Sequence, residues 1–296
     1  MNATKLSVVI PARDEADSLA PLLQRLHESL GKLPGEPASE IIVVDDASTD
    51  DTAAVAEAAG AQVLRHPYGK GNGAAIKSGV RAAQGEVILC LDADGQHPPE
   101  IIPSLLERVE QGYDMAVGAR SGLAEHAGWW RALANRIYNR FASWMVGHPI
   151  ADLTSGLRAV KAPLFRRFLY LLPNGFSYPT TLTMCFFRCG LSVAYVPSNM
   201  SPRGVSQSKS HIRPLSDGLR FLLIIFKVGA YFSPLRVFFP ISFTLLACGF
   251  CYYAYTYLTM HRLTNMSVIL FINAIIVFLI GIVAEQITAL LYKDSE

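Results

Sequence analysis

Glu86-Val87-Ile88-Leu89-Cys90-Leu91-Asp92-Ala93-Asp94 is the stretch on which the fold turns. An apolar, partly β-branched run that stops at two carboxylates has the pattern of a strand buried on both faces, with its acidic end emerging at a sheet edge. The pattern recurs. Lys5 to Pro11, Glu40 to Asp46, Gln62 to His66 and Tyr113 to Val117 also read as short buried strands, separated by helical patterns. This alternation predicts an α/β domain with a mostly parallel sheet. Ligands of such sheets bind beyond the carboxyl ends of the strands, where Arg13-Asp14-Glu15, Asp45-Asp46-Ala47-Ser48 and Asp92-Ala93-Asp94 stand. Three strand ends are therefore expected to converge on one site.

The remainder of the 296 residues divides by composition. Up to about Pro202, charged, Gly-rich and apolar segments mix as in a soluble domain, whereas Val237 onward is almost free of charge. Val237 to Met260 carries no charge and as a helix reaches roughly 36 Å, enough to cross a hydrocarbon core of about 30 Å. Met266 to Tyr292 forms a second span, interrupted by Glu285-Gln286, and the link His261-Arg262-Leu263-Thr264-Asn265 is short enough to make the pair a hairpin. Arg203, Lys209, Arg213, Arg220, Lys227 and Arg236 precede the first span with Asp217 opposing, against Arg262 in the link. The positive-inside bias then puts the large domain and the C-terminus on the cytoplasmic side. The organisation read from this is a domain over 1–202, a basic amphipathic juxtamembrane segment over 203–234 and a transmembrane hairpin over 235–296.

Trp129 to Val146 has apolar residues near helical spacing, with Arg131, Arg136 and Arg140 among them. It predicts an amphipathic helix that either packs on the sheet or lies at a membrane interface. A net charge of +2, with no basic run interleaved with aromatics, argues against nucleic acid. Five cysteines without framework spacing fit a reducing compartment, and Leu6 to Ile10 is too short for a signal-peptide core. Cys248 and Cys251 lie within the first span and read as small packing residues. Glu285 is read as structural, reaching the interface or pairing in an oligomer, and Gly281 with Glu285 is compatible with helix packing between protomers in a homo-oligomer.

Two carboxylates at a strand end offer the hard oxygens that a divalent cation takes, usually together with phosphate oxygens. The wider motif Leu91-Asp92-Ala93-Asp94-Gly95-Gln96-His97-Pro98-Pro99-Glu100 resembles that of family-2 glycosyltransferases, particularly dolichol-phosphate mannose synthases and bacterial polyprenyl-phosphate glycosyltransferases. The resemblance implies a GT-A-type nucleotide-binding domain and a catalytic centre in which Asp92 contacts the nucleotide–metal unit while Asp94 and Gln96 help hold Mg²⁺ or Mn²⁺. It extends to Val9-Ile10-Pro11-Ala12-Arg13-Asp14-Glu15, where Pro11, Arg13 and Glu15 fall on base-lining positions and Asp14 stands where Asn is commoner. In Val43 to Asp50 it places Asp46 against the base, with Ser48 as a helix N-cap partner and Asp50 as a capping or surface carboxylate.

Gly69-Lys70-Gly71-Asn72-Gly73 is similar to the family's Lys-Gly-x-Gly segment, which implies that backbone N–H groups and Lys70 meet the donor phosphates. Val117 to Arg120 and Asp152 to Arg158 are further matching patches. By resemblance Arg120 and Arg131 are candidates for gripping the acceptor phosphate bidentately, while Arg136 and Arg140 also read as solvated. Arg203 and Lys209 loosely match a segment that closes over the donor diphosphate, although a basic cluster there also attracts anionic lipid.

The stretch Phe176-Ser177-Tyr178-Pro179-Thr180-Thr181 has no acidic residue where many family members carry a general base. A phosphate acceptor needs none, being ionised near neutral pH with a second pKa of about 6. The expectation is inverting sugar transfer from a UDP- or GDP-sugar to a polyprenyl phosphate, undecaprenyl or dolichyl, by an integral protein of a bacterial inner membrane. The alternatives are a glycosyltransferase acting on another glycolipid or saccharide, or a silent nucleotide-binding membrane scaffold. A processive synthase is disfavoured by the lack of Q-x-x-R-W and of further spans. A nucleotidyltransferase is disfavoured by the lack of a Gly-rich opening loop.

Overall fold

The structure, a computed structural model, describes residues 6–34, 38–120, 129–175, 177–198, 223, 226, 227, 229–231 and 233–293, without side chains for 129–135, 289 and 291–293. Strands β1 (Leu6–Ala12), β2 (Ser39–Asp45), β3 (Gln62–Arg65), β4 (Val87–Cys90), β5 (Met115–Arg120), β6 (Arg158–Lys161) and β7 (Val193–Ser198) form one sheet in the order β3-β2-β1-β4-β6-β5-β7. The five strands expected from sequence are present, and β1 pairs in parallel with both β2 and β4. Two strands were not expected. The four residues of β6 carry a charge at each end, and the strand runs antiparallel between β4 and β5. Strand β7 contains Pro197, which a strand tolerates at a sheet edge, and β7 is the edge strand beyond β5. The sheet is mixed rather than wholly parallel.

Alternation within β1 shows how the sequence builds the layers. Leu6, Val8, Ile10 and Ala12 face one core, where they meet Leu19, Leu22, Leu23 and Leu26 of α1 (Ala16–Leu30) and Leu105 of α4 (Ile102–Glu110). Val9 faces the other, beside Ile76 and Val80 of α3 (Asn72–Ala82). Burying a Leu or Ile side chain fully contributes about 1.5–3 kcal/mol, so two such faces hold the strand ends in a fixed relation. The short helix α2 (Thr52–Ala58) follows β2 and packs Ala56 into the first core.

Helix α5 (Trp129–Val146) has the expected bounds and packs on the domain, as the first of its two readings expects. Ala142, Met145 and Val146 are buried in the core shared with α6 (Ala162–Phe168) and α7 (Tyr178–Arg188), while Ile137 and Trp144 remain exposed. One face packs on the domain, and the other exposes Arg136 and Arg140 together with Ile137 and Trp144.

Helices α8 (Pro234–Met260) and α9 (Asn265–Lys293) form the hairpin, turning at His261 in a left-handed conformation. Both are long and apolar enough to cross a membrane. Small residues permit their close approach: a Cβ on Gly249 would lie 2.9 Å from Phe271, and one on Gly281 would lie 2.8 Å from Phe238. The Ser242 hydroxyl donates to the Ala274 carbonyl across the pair at 2.7 Å. Gly281 thus serves packing within the hairpin. Outward, Phe243, Phe250, Leu258, Ile275 and Val283 are exposed, as a lipid-facing surface requires. Glu285 accepts a hydrogen bond from the Leu235 N–H at 3.1 Å, capping the first turn of α8. Its structural role is therefore a helix cap between the two spans. The expected domain boundary near residue 202 lies outside the described residues, as does most of the juxtamembrane segment.

Candidate active site

At the carboxyl ends of β1 and β2 two loops are laced together. Asp14 adopts φ of 53° and its N–H donates to Ser48 Oγ at 3.0 Å, while its carboxylate accepts from the Thr49 N–H at 2.6 Å. The Glu15 N–H donates to Thr52 Oγ1, and the Ala16 N–H donates to Asp50 at 3.1 Å. Asp50 also accepts from the Thr52 N–H, so it caps the starts of α1 and α2 together. Ser48 caps no helix; it holds Asp14. Pro11 is the half-buried residue of the otherwise buried β1, and Arg13 is exposed with its guanidinium against Gly69, where a Cβ would lie 2.5 Å away.

Asp46 is buried and fully engaged. Its carboxylate accepts from the N–H groups of Lys70 and Gly71, each at 2.8 Å, and meets His66 Nδ1 at 2.7 Å. His66 Nε2 in turn contacts Ser78 Oγ on α3 at 2.9 Å. Burial pushes the Asp46 carboxyl up, but the hydrogen bonds from His66, Lys70 and Gly71 outweigh it and hold the group below the usual carboxylate range. The glycine loop is also consumed from its other side. The Gly73 N–H donates to the Gly175 carbonyl and the Ala74 N–H to the Asn174 carbonyl, and a Cβ on Gly73 would lie 2.0 Å from the Pro173 carbonyl oxygen. Of the backbone phosphate cradle expected at Gly69 to Gly73, the N–H groups of Lys70, Gly71 and Gly73 already have acceptors within the protein, as does that of Ala74 just beyond it. The exposed Lys70 side chain remains, 5.6 Å above the Tyr68 ring.

Beyond β4 the arrangement differs. The Asp92 side chain is 32% exposed and takes no hydrogen bond from the described residues; His97 Nε2 stands 3.7 Å away. Gly156 supports Asp92 from behind so closely that a Cβ there would lie 2.1 Å from Oδ2. Asp94 accepts from the Gln96 N–H at 3.1 Å, closing a turn through Gly95 at φ of 68°. The His97 ring is buried, and its Nδ1 has no hydrogen-bond partner among the described residues. The ring thus turns Nε2 toward the Asp92 carboxylate and Nδ1 away from it into the protein.

Arg120 forks onto Asp152, with Nε donating at 2.7 Å and Nη2 at 2.8 Å, and also meets Thr154 Oγ1. Burial lowers the Arg120 pKa, but the Asp152 carboxylate, with a smaller contribution from Asp92, more than restores it. Burial likewise raises the Asp152 carboxyl, and Arg120 pulls it below its ordinary value. The guanidinium expected to grip an acceptor phosphate is therefore already paired with a buried carboxylate. Beneath lies Arg158, wholly buried, donating to the Pro179 carbonyl, Thr183 Oγ1 and the Ser155 carbonyl. With the Tyr178 hydroxyl on the Gly156 carbonyl at 3.1 Å, it fixes the turn against which Asp92 rests. Cys90, behind this turn, is pushed up to about 12 by burial and is an unreactive thiol.

Asp46, Ser48, Asp92, Asp94, Gln96 and Arg120 thus stand on strand ends and loops at one edge of the sheet, with Pro11, Arg13, Glu15 and Lys70 beside them. The Arg131 side chain, Arg203 and Lys209 lie outside the described residues. Sequence reasoning assigned no role to His66, His97, Gly156 or Arg158. His66 ends β3 just as Asp46 ends β2, so its place in the chain was a usable signal; Gly156 and Arg158 owe their roles to contacts across the sheet and carried none.

Residues 7–169 match the model of glycosyl transferase family 2, and residues 233–290 match the GtrB C-terminal hairpin. Among similar proteins, the undecaprenyl-phosphate 4-deoxy-4-formamido-L-arabinose transferase of Sodalis glossinidius (strain morsitans) is 30% identical over 260 residues, 85% of this chain and 76% of the relative. The proteins of the same name from Proteus mirabilis (strain HI4320) and Pseudomonas paraeruginosa (strain DSM 24068 / PA7) are each 37% identical, over 53% and 59% of this chain. The matches span 49% and 55% of those two relatives, so the chain covers about half the length of several proteins it resembles. Among solved structures, mannosyl-3-phosphoglycerate synthase from Rubrobacter xylanophilus has a TM-score of 0.62 at 23% identity, covering 77% of this chain and 74% of that one. Glucosyl-3-phosphoglycerate synthase from Mycobacterium tuberculosis, in complex with Mn²⁺, UDP-glucose and phosphoglyceric acid, has a TM-score of 0.60 at 21% identity, covering 77% and 80%. These two share the fold. The acidic edge of the sheet, the turn that supports Asp92 and a family match over more than half its length together show that the chain belongs to glycosyl transferase family 2.

Proposed function

We propose that this chain transfers a sugar, with inversion, from a nucleotide-sugar to the phosphate of a polyprenyl lipid at the cytoplasmic face of a bacterial inner membrane. The observation that carries the reading is one chain joining the part-exposed Asp92 carboxylate at the sheet edge to a hairpin of two helices long and apolar enough to cross a membrane. The names of its relatives, undecaprenyl-phosphate transferases, support undecaprenyl phosphate as the acceptor. The absence of any acid from Ser177 to Thr181 supports an acceptor that arrives already ionised.

The donor set fits a divalent cation, Mg²⁺ or Mn²⁺. Asp92 and Asp94 supply hard carboxylate oxygens and Gln96 an amide oxygen, and the Asp92 carboxylate is 32% exposed with no hydrogen bond from the described residues to compete for it. Among the described residues no three His, Cys, Asp or Glu side chains close into a metal cage, and phosphate oxygens of the donor would be compatible further ligands. When bound, the ion neutralises the charge that develops on the leaving nucleoside diphosphate. Gly156 and the Arg158–Tyr178 support hold the Asp92 carboxylate in place before the donor arrives, so little reorganisation is needed at the reaction. Lys70 and Arg13 add positive charge along the path of the diphosphate, and Pro11, Glu15 and the Asp14–Ser48 lacing shape the floor under the nucleotide. Arg120, held in one rotamer by Asp152, presents a fixed positive field toward the acceptor side rather than a free fork. Arg131, Arg203 and Lys209 are assigned to acceptor and donor phosphates on sequence grounds.

The test is purified protein with radiolabelled UDP- or GDP-sugars, Mn²⁺ or Mg²⁺ and undecaprenyl phosphate, with the organic phase analysed for an alkali-stable, mild-acid-labile lipid-phosphate sugar. Its formation supports the reading. Transfer only to a saccharide or to diacylglycerol overturns the acceptor assignment, and binding of nucleotide without any transfer favours the silent scaffold.

A further inference from the structure

A cavity of about 420 Å³ lies where the catalytic layer meets the hairpin, lined by Trp144, Arg188, Ser233, Arg236, Phe239 and Glu285 among others. It shares no lining residue with the site built around Asp46, Asp92 and Arg120. Ser233 immediately precedes α8 and Glu285 lies in the last third of α9, so the cavity sits at the end of the hairpin next to the folded domain. In a membrane this is the level of the lipid headgroups, and the exposed Trp144 is a residue type that favours that level.

We propose that this cavity binds the phosphoethanolamine headgroup of a membrane lipid. Ser233 is 1% exposed, and its hydroxyl has no hydrogen-bond partner among the described residues. A buried hydroxyl left unpaired at the wall of a cavity is an unfilled contact for a ligand. Arg236 is anchored through Nη1, which donates to the Trp144 carbonyl at 2.8 Å and the Met145 carbonyl at 3.1 Å at the end of α5. Its Nε and Nη2 donors are unused among the described residues, and Arg188 brings a second guanidinium to the same wall. The unused Arg236 donors and the Ser233 hydroxyl, with the positive charge of Arg188 beside them, suit a phosphate diester.

Glu285 selects among phosphate lipids. One of its oxygens caps α8 through the Leu235 N–H, and the other takes no hydrogen bond from the described residues. A carboxylate in the cavity repels a headgroup that carries only a phosphate. It pairs with a primary ammonium a few bonds from that phosphate, and a quaternary ammonium has no N–H to donate to it. The charge pattern of two cations and one carboxylate is thus the complement of phosphoethanolamine. The proposal rests on the hairpin lying in a membrane, but not on the chemistry of the transfer site.

Native mass spectrometry of the full-length protein in detergent, titrated with phosphatidylethanolamine, phosphatidylglycerol, phosphatidylcholine and undecaprenyl phosphate, tests it. The wild type is expected to retain phosphatidylethanolamine about tenfold more tightly than the other two phospholipids, the equivalent of one charge-assisted hydrogen bond. Glu285→Gln is expected to erase the preference over phosphatidylglycerol. Ser233→Ala, a smaller change that leaves the α8 cap in place, is expected to weaken all three phospholipids severalfold, with thermal unfolding confirming that each variant is folded. Equal retention of the three phospholipids by the wild type overturns the proposal, as does an unchanged preference in Glu285→Gln or unchanged retention in Ser233→Ala. Displacement of phosphatidylethanolamine by undecaprenyl phosphate would make the cavity part of the acceptor path and overturn it as a separate lipid site. The readout is binding, so failure of the transfer reaction leaves this outcome unaffected.

Discussion

Asp46 and Asp92 stand at the ends of β2 and β4, the two strands that flank β1, and they do opposite work. Asp46 is 6% exposed and its carboxylate is met by His66 and two backbone N–H groups. Asp92 is 32% exposed, rests on a glycine and takes no hydrogen bond from the described residues. Carboxylates at strand ends are thus of two kinds: one spends its lone pairs holding loops together, and the other leaves them unclaimed by the described residues. The position of an acidic residue on a sheet does not separate the two, whereas the count of donors around it does.

The contrast breaks most sharply by removing each carboxylate. Asp92→Asn is expected to lower sugar transfer by about a thousandfold or more, the scale of losing a preorganised electrostatic contact at a reacting centre, and to abolish the Mn²⁺-dependent thermal shift that UDP should give the parent protein, while the melting temperature without ligand stays within a few degrees. Asp46→Ala should do the reverse. It strands the buried His66 ring, at about 1–3 kcal/mol, and releases the part-buried N–H groups of Lys70 and Gly71, so thermal unfolding should fall by roughly 5 °C and nucleotide binding only as far as the Gly69 to Gly73 loop loosens. Should Asp46→Ala abolish transfer without loss of stability, the assignment of Asp46 to structure fails.

Gly156→Ala sharpens the comparison at smaller scale. A Cβ 2.1 Å from Asp92 Oδ2 forces the carboxylate aside, so turnover should drop about a hundredfold, as expected of misplacing a reactive contact by about 1 Å, with little change in fold by circular dichroism. The pH dependence of stability is gentler. The Asp46 and Asp152 carboxyls are both held below their ordinary values, so their contribution is fully present above the unfolded carboxylate pKa of about 3.9 and is lost as pH falls through the lower folded values. Melting temperature should therefore be flat near neutrality and fall below about pH 4, and in Asp46→Asn the acid limb of that curve should be shallower. Least affected should be Asp14→Asn. Its exposed pairing with Arg13 at 3.9 Å contributes less than about 1 kcal/mol, and an amide oxygen can still accept from the Thr49 N–H, so both stability and turnover should stay close to the parent.

How far each part was legible in the chain follows from how local its cause is. Strands β1 to β5, helix α5 and the hairpin are each specified by a run of residues close in sequence, and the structure has them within a few residues of the expected bounds. Strand β6 escaped because four residues flanked by Arg158 and Lys161 carry no periodic signal; its partners are set by β4 and β5. The glycine loop was assigned to phosphate because Gly and Lys at a helix start have that capacity. The segment around Pro173 to Gly175, a hundred residues later in the chain, competes for the same N–H groups, and this contact decides their use.

The amino-acid sequence by itself determined the α/β layers, the acidic strand ends and the apolar hairpin, because alternation, abrupt polarity changes and span length are local consequences of burying apolar surface. Only the tertiary structure decided which polar groups are still available. It paired Arg120 with Asp152, saturated Asp46, placed Gly156 behind Asp92 and left His97 Nδ1 and the Ser233 hydroxyl without partners among the described residues. The physical reason is that hydrogen-bond capacity is exhausted by whatever the fold brings within about 3 Å, and those neighbours come from distant parts of the chain.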